Sequence, residues 1–387
     1  MRTLLTYVVC IRHTHISFQY THIQVPSTAI FNEFHDLLSR AYGIENSVST
    51  GIVLSINPQE IDEDDAIFDV VIQNHNGRRS TVKTRRVVCS LGPMFRPLQA
   101  SWSSDLPPEA LDKILHSHEI CPFVNSKHNE NRQEGEECIG RVLIVGGGIT
   151  SAQLALLCSR ATWCKEVTLI QRSSMKPRHF DIANEWMGPK RGKLLEHFWC
   201  LDNMDERARV LKEARGGGTI PPEVIHELLA SQSEQLMVKT EVEIEEVIWE
   251  NGCFRVSLDD GTESEEYDMI WLATGAANHI DNYSVLEKLR EVLPVGVANG
   301  LPVLSDDLTW KCPKGGSDEP AWKQAARRNC YVMGALAGLS LGPDSLNLIG
   351  ARHGSVKVAQ NIRRDFEDQR MRMLKAESEE ECDCGVC

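Results

Sequence analysis

The stretch from Arg141 to Arg172 constrains the fold more than any other part of the sequence. It opens with an unbroken apolar run, Val142–Val145, which is short enough for a buried parallel strand and stops on Gly146–Gly148. Residues Ile149–Arg160 are good helix formers with apolar positions at helical spacing, and Glu166–Gln171 has the pattern of a second strand. This order of strand, glycine turn, helix and strand predicts one βαβ unit of an α/β protein.

The glycine turn has the GxGxxG spacing of a dinucleotide-binding site. Gly146 would allow the turn, and Gly148 would let the backbone approach a pyrophosphate on the helix N-terminus at Ile149 and Thr150, where free N–H groups and the helix dipole favour an anion. Ser151 replaces the usual third glycine and is small enough for close packing of helix on strand. We predict that these residues bind a dinucleotide. An ordinary glycine turn of another α/β protein is the alternative.

The residues at the end of the second strand indicate which nicotinamide dinucleotide binds. An NADH-binding domain would have a carboxylate there for the ribose hydroxyls, whereas this chain has Gln171 and Arg172. Glu166 lies at about the expected distance from the glycines but begins the strand. The guanidinium of Arg172 suits a 2′-phosphate, so the sequence predicts NADPH.

The composition allows two domains and excludes some partners. The chain has 387 residues, of which 42% are hydrophobic and 25% charged, as in ordinary globular proteins. Its formal net charge of −14 argues against a nucleic-acid partner, because a phosphate backbone would be repelled. No apolar stretch approaches a membrane span, and the run from Leu4 to Ile11 lacks the small-residue cleavage site of a signal peptide.

The cysteines and histidines do not indicate a metal site. The 13 cysteines are scattered, and those in apolar segments predict reduced thiols of a cytoplasmic protein: Cys89, Cys158 and Cys330. No carboxylate or cysteine set completes a ligand shell around His13, His15 and His22. The C-terminal thiols could form a redox pair or half a zinc site, but we expect an unstructured acidic terminus with incidental cysteines: Cys382, Cys384 and Cys387.

One pattern occurs twice in the sequence: an antiparallel meander of strands is followed by an apolar strand that ends on a glycine. The first copy runs through residues 48–92, after a helix predicted for Thr28–Tyr42, and ends at Gly92. The second runs through residues 241–275, with a turn at Asn251–Gly252, and ends at Gly275. The repeat predicts two domains of one design. Only the second copy is preceded by a glycine-bearing βαβ unit, so the first domain is expected to be incomplete.

Two further segments leave alternatives open. Basic residues follow the second strand and form either a solvated face or a rim that attracts nucleotide phosphates: Lys176, Arg178, Lys190, Arg191 and Lys193. Beyond a charged helix, Gly216–Gly218 is predicted to be flexible. Near the C-terminus, the strand Asn329–Gly334 leads through a loop to a helix that ends near Phe366. That loop either closes over a second cofactor or is an ordinary βα connection.

Together these segments resemble the two-dinucleotide-binding flavoproteins, which include flavin-containing monooxygenases and lysine and ornithine N-hydroxylases. The matching pieces follow the family order over nearly the whole chain: PSTAIFNEF at 26–34, SLGPMFRP at 90–97, ILHSHEI at 114–120, VGGGITSAQLA at 145–155, LATG at 272–275 and VMGALAGLSLGPDSLNLIGA at 332–351. The HS pair at His116 and Ser117 and the glycine-ended strands are fairly specific in combination.

The resemblance implies an α/β fold with two Rossmann-like domains, the NADPH domain being inserted in an incomplete FAD domain. The implied segments are a partial FAD-binding domain at 1–120, a linker at 121–137, the NADPH-binding domain at 138–280, a returning FAD segment at 281–366 and a disordered tail at 367–387. The resemblance also adds cofactor-binding residues: Thr274, Gly275, Gly92, Gly334, Pro343 and Asn347.

The implied activity is that of an FAD- and NADPH-dependent monooxygenase. NADPH reduces FAD, and a flavin hydroperoxide then oxygenates a soft nucleophile of a small molecule, such as an amine nitrogen. No catalytic side chain is assigned, because the flavin carries the chemistry. A disulfide reductase that uses Cys384 and Cys387, and a non-catalytic NADP-binding protein, are the alternatives. Because this chain lacks the family's first glycine turn, we expect poor retention of FAD.

Overall fold

The computed structural model describes residues 27–92, 96–97, 100–120, 139–262, 264–313 and 319–383. The helices are α1 Thr28–Ala41, α2 Pro108–Leu111, α3 Ile149–Arg160, α4 Arg191–Trp199, α5 Met204–Arg215, α6 Pro222–Ala230, α7 Glu287–Val292, α8 Ala321–Arg328, α9 Gly338–Leu341 and α10 Leu348–Asp383. The strands are β1 Ile52–Asp62, β2 Asp65–Gln73, β3 Arg79–Thr84, β4 Val87–Cys89, β5 Arg96–Pro97, β6 Ile114–His116, β7 Arg141–Val145, β8 Glu166–Gln171, β9 Leu236–Thr240, β10 Ile244–Glu250, β11 Cys253–Leu258, β12 Glu265–Tyr267, β13 Met269–Leu272, β14 Ala276–Ala277, β15 Val297–Ala298, β16 Leu301–Pro302 and β17 Cys330–Val332.

The chain divides into two compact units, residues 1–53 with 72–80 and residues 54–71 with 81–387. In the first unit, Ser27 is the N-cap of α1, because its hydroxyl accepts the N–H of Ile30 at 3.4 Å. A tight turn in the same unit is held by the Asn74 side chain, which accepts the N–H groups of Asn76 and Arg78. The helix begins at the predicted residue, Thr28, and ends one residue before the predicted Tyr42.

The first meander, β1-β2-β3, forms a three-stranded sheet in chain order. Its strand β1 runs on to Asp62, whereas the alternating pattern in the sequence extends only from Val48 to Ile56. Residues 59–62 are exposed. A strand segment that is exposed on both faces leaves no apolar alternation for a sequence pattern to detect.

The second unit is organised around a five-stranded parallel sheet in the order β6-β13-β7-β8-β9. Successive side chains of β8 point to opposite faces of this sheet. Val167 and Leu169 pack in the cluster that includes α3, whereas Ile170 packs in the cluster of the second meander. The sheet is therefore covered on both faces, as the unbroken apolar runs of its strands predicted.

The second meander, β10-β11-β12, is antiparallel and confirms the predicted Asn-Gly turn. Glu250 pairs with Cys253 across two residues with positive φ, Asn251 at 52° and Gly252 at 82°. Two such residues make a type I′ turn, whose twist matches that of the strands it joins.

The remaining part of the second unit is built on the parallel pair β4 and β17. The core around this pair buries large side chains, including Trp310, Tyr331 and Tyr283. The predicted buried thiols Cys89, Cys158 and Cys330 are confirmed as buried free cysteines.

Two boundaries differ from the sequence prediction. The strand β6, which lies before the predicted boundary at residue 120, pairs with β13 in the same sheet as the glycine turn. The helix α10 continues to Asp383, which corrects the predicted end near Phe366 and the disordered tail predicted from residue 367. The physical reason is that residues 367–383 contain no Pro or Gly and are rich in Glu, Met, Arg and other good helix formers.

None of the helices in the described ranges combines enough length with enough apolar character to cross a membrane.

The ion pair of the buried Arg327 with the half-buried Glu319 gives a test of this fold. The guanidinium donates two bonds of 2.7 Å to Glu319 and is 6% exposed. Glu319→Ala would leave a buried charge without its partner, so we expect the free energy of unfolding to fall by about 3 kcal/mol in urea titrations. The exposed pair Arg363–Glu367 is the matched control, because Glu367→Ala should change it by less than about 0.5 kcal/mol. Equal effects of the two variants would contradict the burial of Arg327.

Candidate functional site

The glycine turn after β7 is shaped by its close approach to β13. The Gly146 N–H donates to the Ile170 carbonyl at 3.1 Å. A Cβ on Gly146 would overlap the carbonyl oxygen of Ala273, so only glycine fits between these neighbouring strands. The tight turn predicted at Gly146 therefore follows from strand packing.

The helix α3 begins at this turn with an uncapped N-terminus. Gly148 is its N-cap and has no side chain to accept the first N–H groups. Ser151 is buried and donates its hydroxyl to the Gly148 carbonyl at 2.7 Å. Ile149 and Thr150 are exposed. A bare helix start of this kind suits an anion.

Other predicted residues gather at the same edge of the sheet, because the carboxyl ends of parallel strands meet there. Arg172 directly follows β8, is exposed, and has no ion-pair partner within 4.0 Å among the described residues. Thr274 and Gly275 follow β13, and both are exposed. The structure thus brings the glycine turn, the cation and the end of β13 to one edge.

Gln171 adds an unusual feature to this edge. Its side chain is 2% exposed, and within the described residues neither its amide nitrogen nor its amide oxygen has a hydrogen-bond partner. By strand alternation it faces the α3 side, like Val167 and Leu169. Leaving a buried polar atom unpaired costs about 1–3 kcal/mol, so this end of β8 calls for a polar partner such as a ligand or water.

His116 lies at the end of β6 and contributes to the site. The sequence pointed to it only as part of the HS pair with Ser117, without a role of its own. Its Nε2 lies 3.1 Å from the Gly275 carbonyl oxygen, and its Nδ1 lies 3.2 Å from Nδ1 of His118. Because a carbonyl only accepts, Nε2 carries the proton. Burial lowers the pKa of His116, and the neighbouring His118 lowers it further. The neutral ring therefore holds Gly275 in place.

The basic residues after β8 have specific partners in the protein. Lys176 donates to the Gly216 carbonyl at 3.3 Å, and Arg178 donates to the Ala214 carbonyl at 3.3 Å. Arg191 is paired with the buried Asp344 at 2.7 Å. Lys190 and Lys193 remain exposed. Three of the five residues thus hold neighbouring segments in place. Neither alternative left open by the sequence, a solvated face or a rim for nucleotide phosphates, predicted these contacts.

Gly216–Gly218, predicted as a flexible connection, lies against the glycine turn. A Cβ on Gly218 would come within 2.7 Å of the Gly147 carbonyl oxygen and 3.1 Å of the Gly148 nitrogen. The sequence showed three adjacent glycines but no signal for what they contact.

The predicted flavin-side glycines lie at the carboxyl ends of β4 and β17. The Met333 N–H donates to the Cys89 carbonyl at 3.0 Å, and Gly334 follows with a φ of 72°. A Cβ on Gly334 would come within 3.3 Å of the Leu91 carbonyl oxygen. The Gly92 carbonyl accepts the Tyr283 hydroxyl at 3.2 Å. The pairing of β4 with β17 therefore brings Gly92 and Gly334 together.

The remaining predicted residues, Pro343 and Asn347, are engaged in the fold. The Pro343 carbonyl accepts a hydrogen bond from Arg215 at 3.3 Å. The Asn347 side chain accepts the N–H groups of Ile349 and Gly350 at 3.0 and 3.1 Å, so it caps α10. The structure brings neither side chain to the glycine turn at Gly146.

In the part of the chain that the structure describes, no group of three or more His, Cys, Asp or Glu residues could hold a metal ion. The predictions for His13, His15, His22, Cys384 and Cys387 fall outside the described residues.

Known proteins resemble this chain in sequence pattern and in fold. The model of the L-lysine 6-monooxygenase/L-ornithine 5-monooxygenase family matches residues 3–278. No curated protein sequence matches it. The fold is similar to the Kutzneria sp. 744 ornithine N-hydroxylase KtzI, solved with reduced FAD, NADP⁺ and L-ornithine, with a TM-score of 0.64, 19% identity, and coverage of 94% of this chain and 82% of that one.

Two further solved structures are similar. Ornithine hydroxylase PvdA from Pseudomonas aeruginosa, in its reduced form, has a TM-score of 0.62 and 19% identity over 85% of this chain and 76% of that chain. L-lysine 6-monooxygenase from Pseudomonas syringae has a TM-score of 0.59 and 19% identity over 86% and 76%. These likenesses confirm the predicted α/β fold of dinucleotide-binding flavoproteins.

The buried ring of His116 predicts a pH dependence of stability. Because its pKa is lowered in the folded state, the unfolded chain binds more protons below the ordinary value of about 6.5. The contribution of His116 to the free energy of unfolding is therefore present when the pH is above its ordinary pKa. This contribution is lost as the pH falls through the lowered pKa of the folded state. His116→Gln keeps an N–H donor for Gly275 but does not titrate, so its melting temperature should fall less steeply between about pH 7.5 and 5.

The control for this measurement is His226→Gln, since His226 is exposed on α6. It should keep the wild-type dependence of melting temperature on pH. A wild-type slope in His116→Gln would contradict the assigned role. His353, whose pKa is also lowered by burial, contributes equally to all three proteins.

Proposed function

Because the chain belongs to the L-lysine 6-monooxygenase/L-ornithine 5-monooxygenase family, we propose that it hydroxylates the terminal amine nitrogen of a diamine or diamino acid. It is an oxidoreductase of the monooxygenase class, with FAD and NADPH as cofactors. The family match over residues 3–278, which includes the glycine turn, is the observation that carries this conclusion.

The residues at the edge of the parallel sheet fit NADPH. The N–H groups at the start of α3, at Ile149, Thr150 and Ser151, would hold the diphosphate. Gly146 allows the tight turn, and Gly148, which has no side chain, would let the backbone approach the diphosphate.

Arg172 would bind the 2′-phosphate, which separates NADPH from NADH. Thr274 and Gly275 would line the other side of the site, with Gly275 positioned by His116.

The carboxyl ends of β4 and β17 fit part of a flavin site, since a side chain at Gly334 would press on the Leu91 carbonyl. Gly92 and Gly334 would contact FAD through their backbones. Pro343 and Asn347 would act indirectly, because their polar atoms place the start of α10. Bound FAD supplies the activation of dioxygen, and the chain binds and orients both cofactors and excludes water.

The two other functions have less support. A disulfide reductase that uses Cys384 and Cys387 belongs to a different class from the matched family. A non-catalytic NADP-binding protein would share the glycine turn without turnover. The expected weak retention of FAD and the cytoplasmic location both stay predictions, the latter resting on free buried cysteines such as Cys158.

The reaction can be tested with the purified chain supplied with FAD. We expect oxidation of NADPH and uptake of oxygen that depend on an amine, and a product one oxygen atom heavier than the amine by mass spectrometry. L-ornithine, L-lysine and cadaverine are the probes. NADPH binding without turnover would favour the non-catalytic protein, and NADPH oxidation dependent on a disulfide would favour the reductase.

Arg172→Ala tests the choice of carrier. Loss of a charged hydrogen bond to the 2′-phosphate costs about 1.5–3 kcal/mol, so the KM for NADPH should rise by about tenfold to a hundredfold while that for NADH stays unchanged. Arg160→Ala is the matched control, because Arg160 is exposed at the opposite end of α3 and pairs with Glu227. An unchanged preference for NADPH in Arg172→Ala would remove Arg172 from the site.

A further inference from the structure

We propose that Gly216–Gly218, between α5 and α6, is a positioning segment that closes one side of the diphosphate site of the carrier. This inference rests on the proposed function, since it takes a nicotinamide dinucleotide as the ligand. The segment acts through the backbone of the glycine turn, which Gly218 contacts.

The contact between the two glycine segments is a close approach of backbone to backbone. A methyl group at Gly218 would lie 2.7 Å from the Gly147 carbonyl oxygen, 2.8 Å from the Gly147 carbonyl carbon and 3.1 Å from the Gly148 nitrogen. All three atoms are backbone atoms, which cannot swing aside as the end of a side chain can. The position of Gly218 therefore fixes one side of the turn that would receive the diphosphate.

The segment is held at both ends. Before it, Arg178 donates to the Ala214 and Arg215 carbonyls at 3.3 and 3.4 Å, at the end of α5. After it, Ile220 exchanges two backbone bonds of 3.0 Å with Lys176 and Arg178. Gly216–Gly218 is therefore held in a fixed position against the glycine turn, although its composition is typical of a flexible linker.

The surroundings of Gly216–Gly218 favour the binding of an anion. The N–H groups of Gly217 and Gly218 have no hydrogen-bond acceptor within the described residues. Lys176 donates to the Gly216 carbonyl, and the Arg178 guanidinium lies beside Gly216, which places two cations at the segment.

Two carboxylates of the flanking segments have partners of their own. Asp181 is paired with Arg215 at 2.7 Å, and Glu223 lies 3.6 Å from His179. The amide of Gln171, at the carboxyl end of β8, has no hydrogen-bond partner among the described residues, so a polar ligand bound at this end of the sheet could supply one. A diphosphate would meet N–H donors from both glycine segments.

Gly218→Ala is the direct test. We expect its dissociation constant for ADP, which carries the diphosphate, to rise at least about tenfold, while that for adenosine stays within about twofold, as measured by calorimetry on the full chain. With NADPH the KM should rise more than kcat falls. If Gly218 had only a structural role, Gly218→Ala would lower the melting temperature and would change the dissociation constants for ADP and adenosine to the same extent.

A glycine away from the segment provides the matched control. Gly192→Ala adds a methyl group into open space on α4, so it should not lower the melting temperature and should leave the ADP affinity unchanged.

A second variant keeps the test decisive if Gly218→Ala does not fold. Lys176→Gln alters an exposed side chain that anchors the Gly216 carbonyl, and we expect about a threefold weaker affinity for ADP with unchanged affinity for adenosine. Wild-type affinity for ADP in each of these variants that folds would overturn the inference and leave the proposed function intact. A wild-type chain that binds neither ADP nor NADPH would overturn both.

Discussion

The close parallel pairing of β7 with β13 is the constraint on which the candidate site depends. It brings the Ala273 carbonyl so near to Gly146 that no side chain fits between them. The chain must turn there, and the next residues start α3 with exposed N–H groups. The turn, the bare helix start and the end of β13 are thus consequences of one packing arrangement, and His116 extends it by holding Gly275 from the adjacent strand β6.

A second set of contacts joins the helices that follow β8 to the segment that precedes α10. Arginines carry these contacts, and each donates to the segment at residues 339–344, which includes most of α9: Arg207 to the Leu339 carbonyl at 3.1 Å, Arg215 to the Pro343 carbonyl at 3.3 Å and Arg191 to Asp344 at 2.7 Å. Hydride transfer requires two cofactors in fixed register. Because α5 also leads into the segment at Gly218, the same helices would connect the proposed carrier site to the segment proposed to lie beside the flavin.

The sequence predicted the local parts of this arrangement well. Helix α3 has the predicted bounds, since a glycine turn determines where it begins, and the Asn251–Gly252 turn follows from the backbone freedom of two residues. Contacts between distant segments were missed. Nothing in the three residues of β6 shows that they join the sheet of the glycine turn, and nothing in three adjacent glycines shows that one of them contacts Gly147.

Charge explains why such local contacts matter in this chain. The net charge of −14 repels NADPH, which is anionic, and attracts an amine substrate, which is cationic. At physiological ionic strength a charge is felt over only about 8 Å, so the groups beside the turn decide binding. There the chain offers Arg172, Lys176 and Arg178 together with uncapped N–H groups. An acidic protein can therefore bind an anionic carrier, provided that cations such as Lys176 and Arg178 are held in place by the contacts that fix Gly216–Gly218.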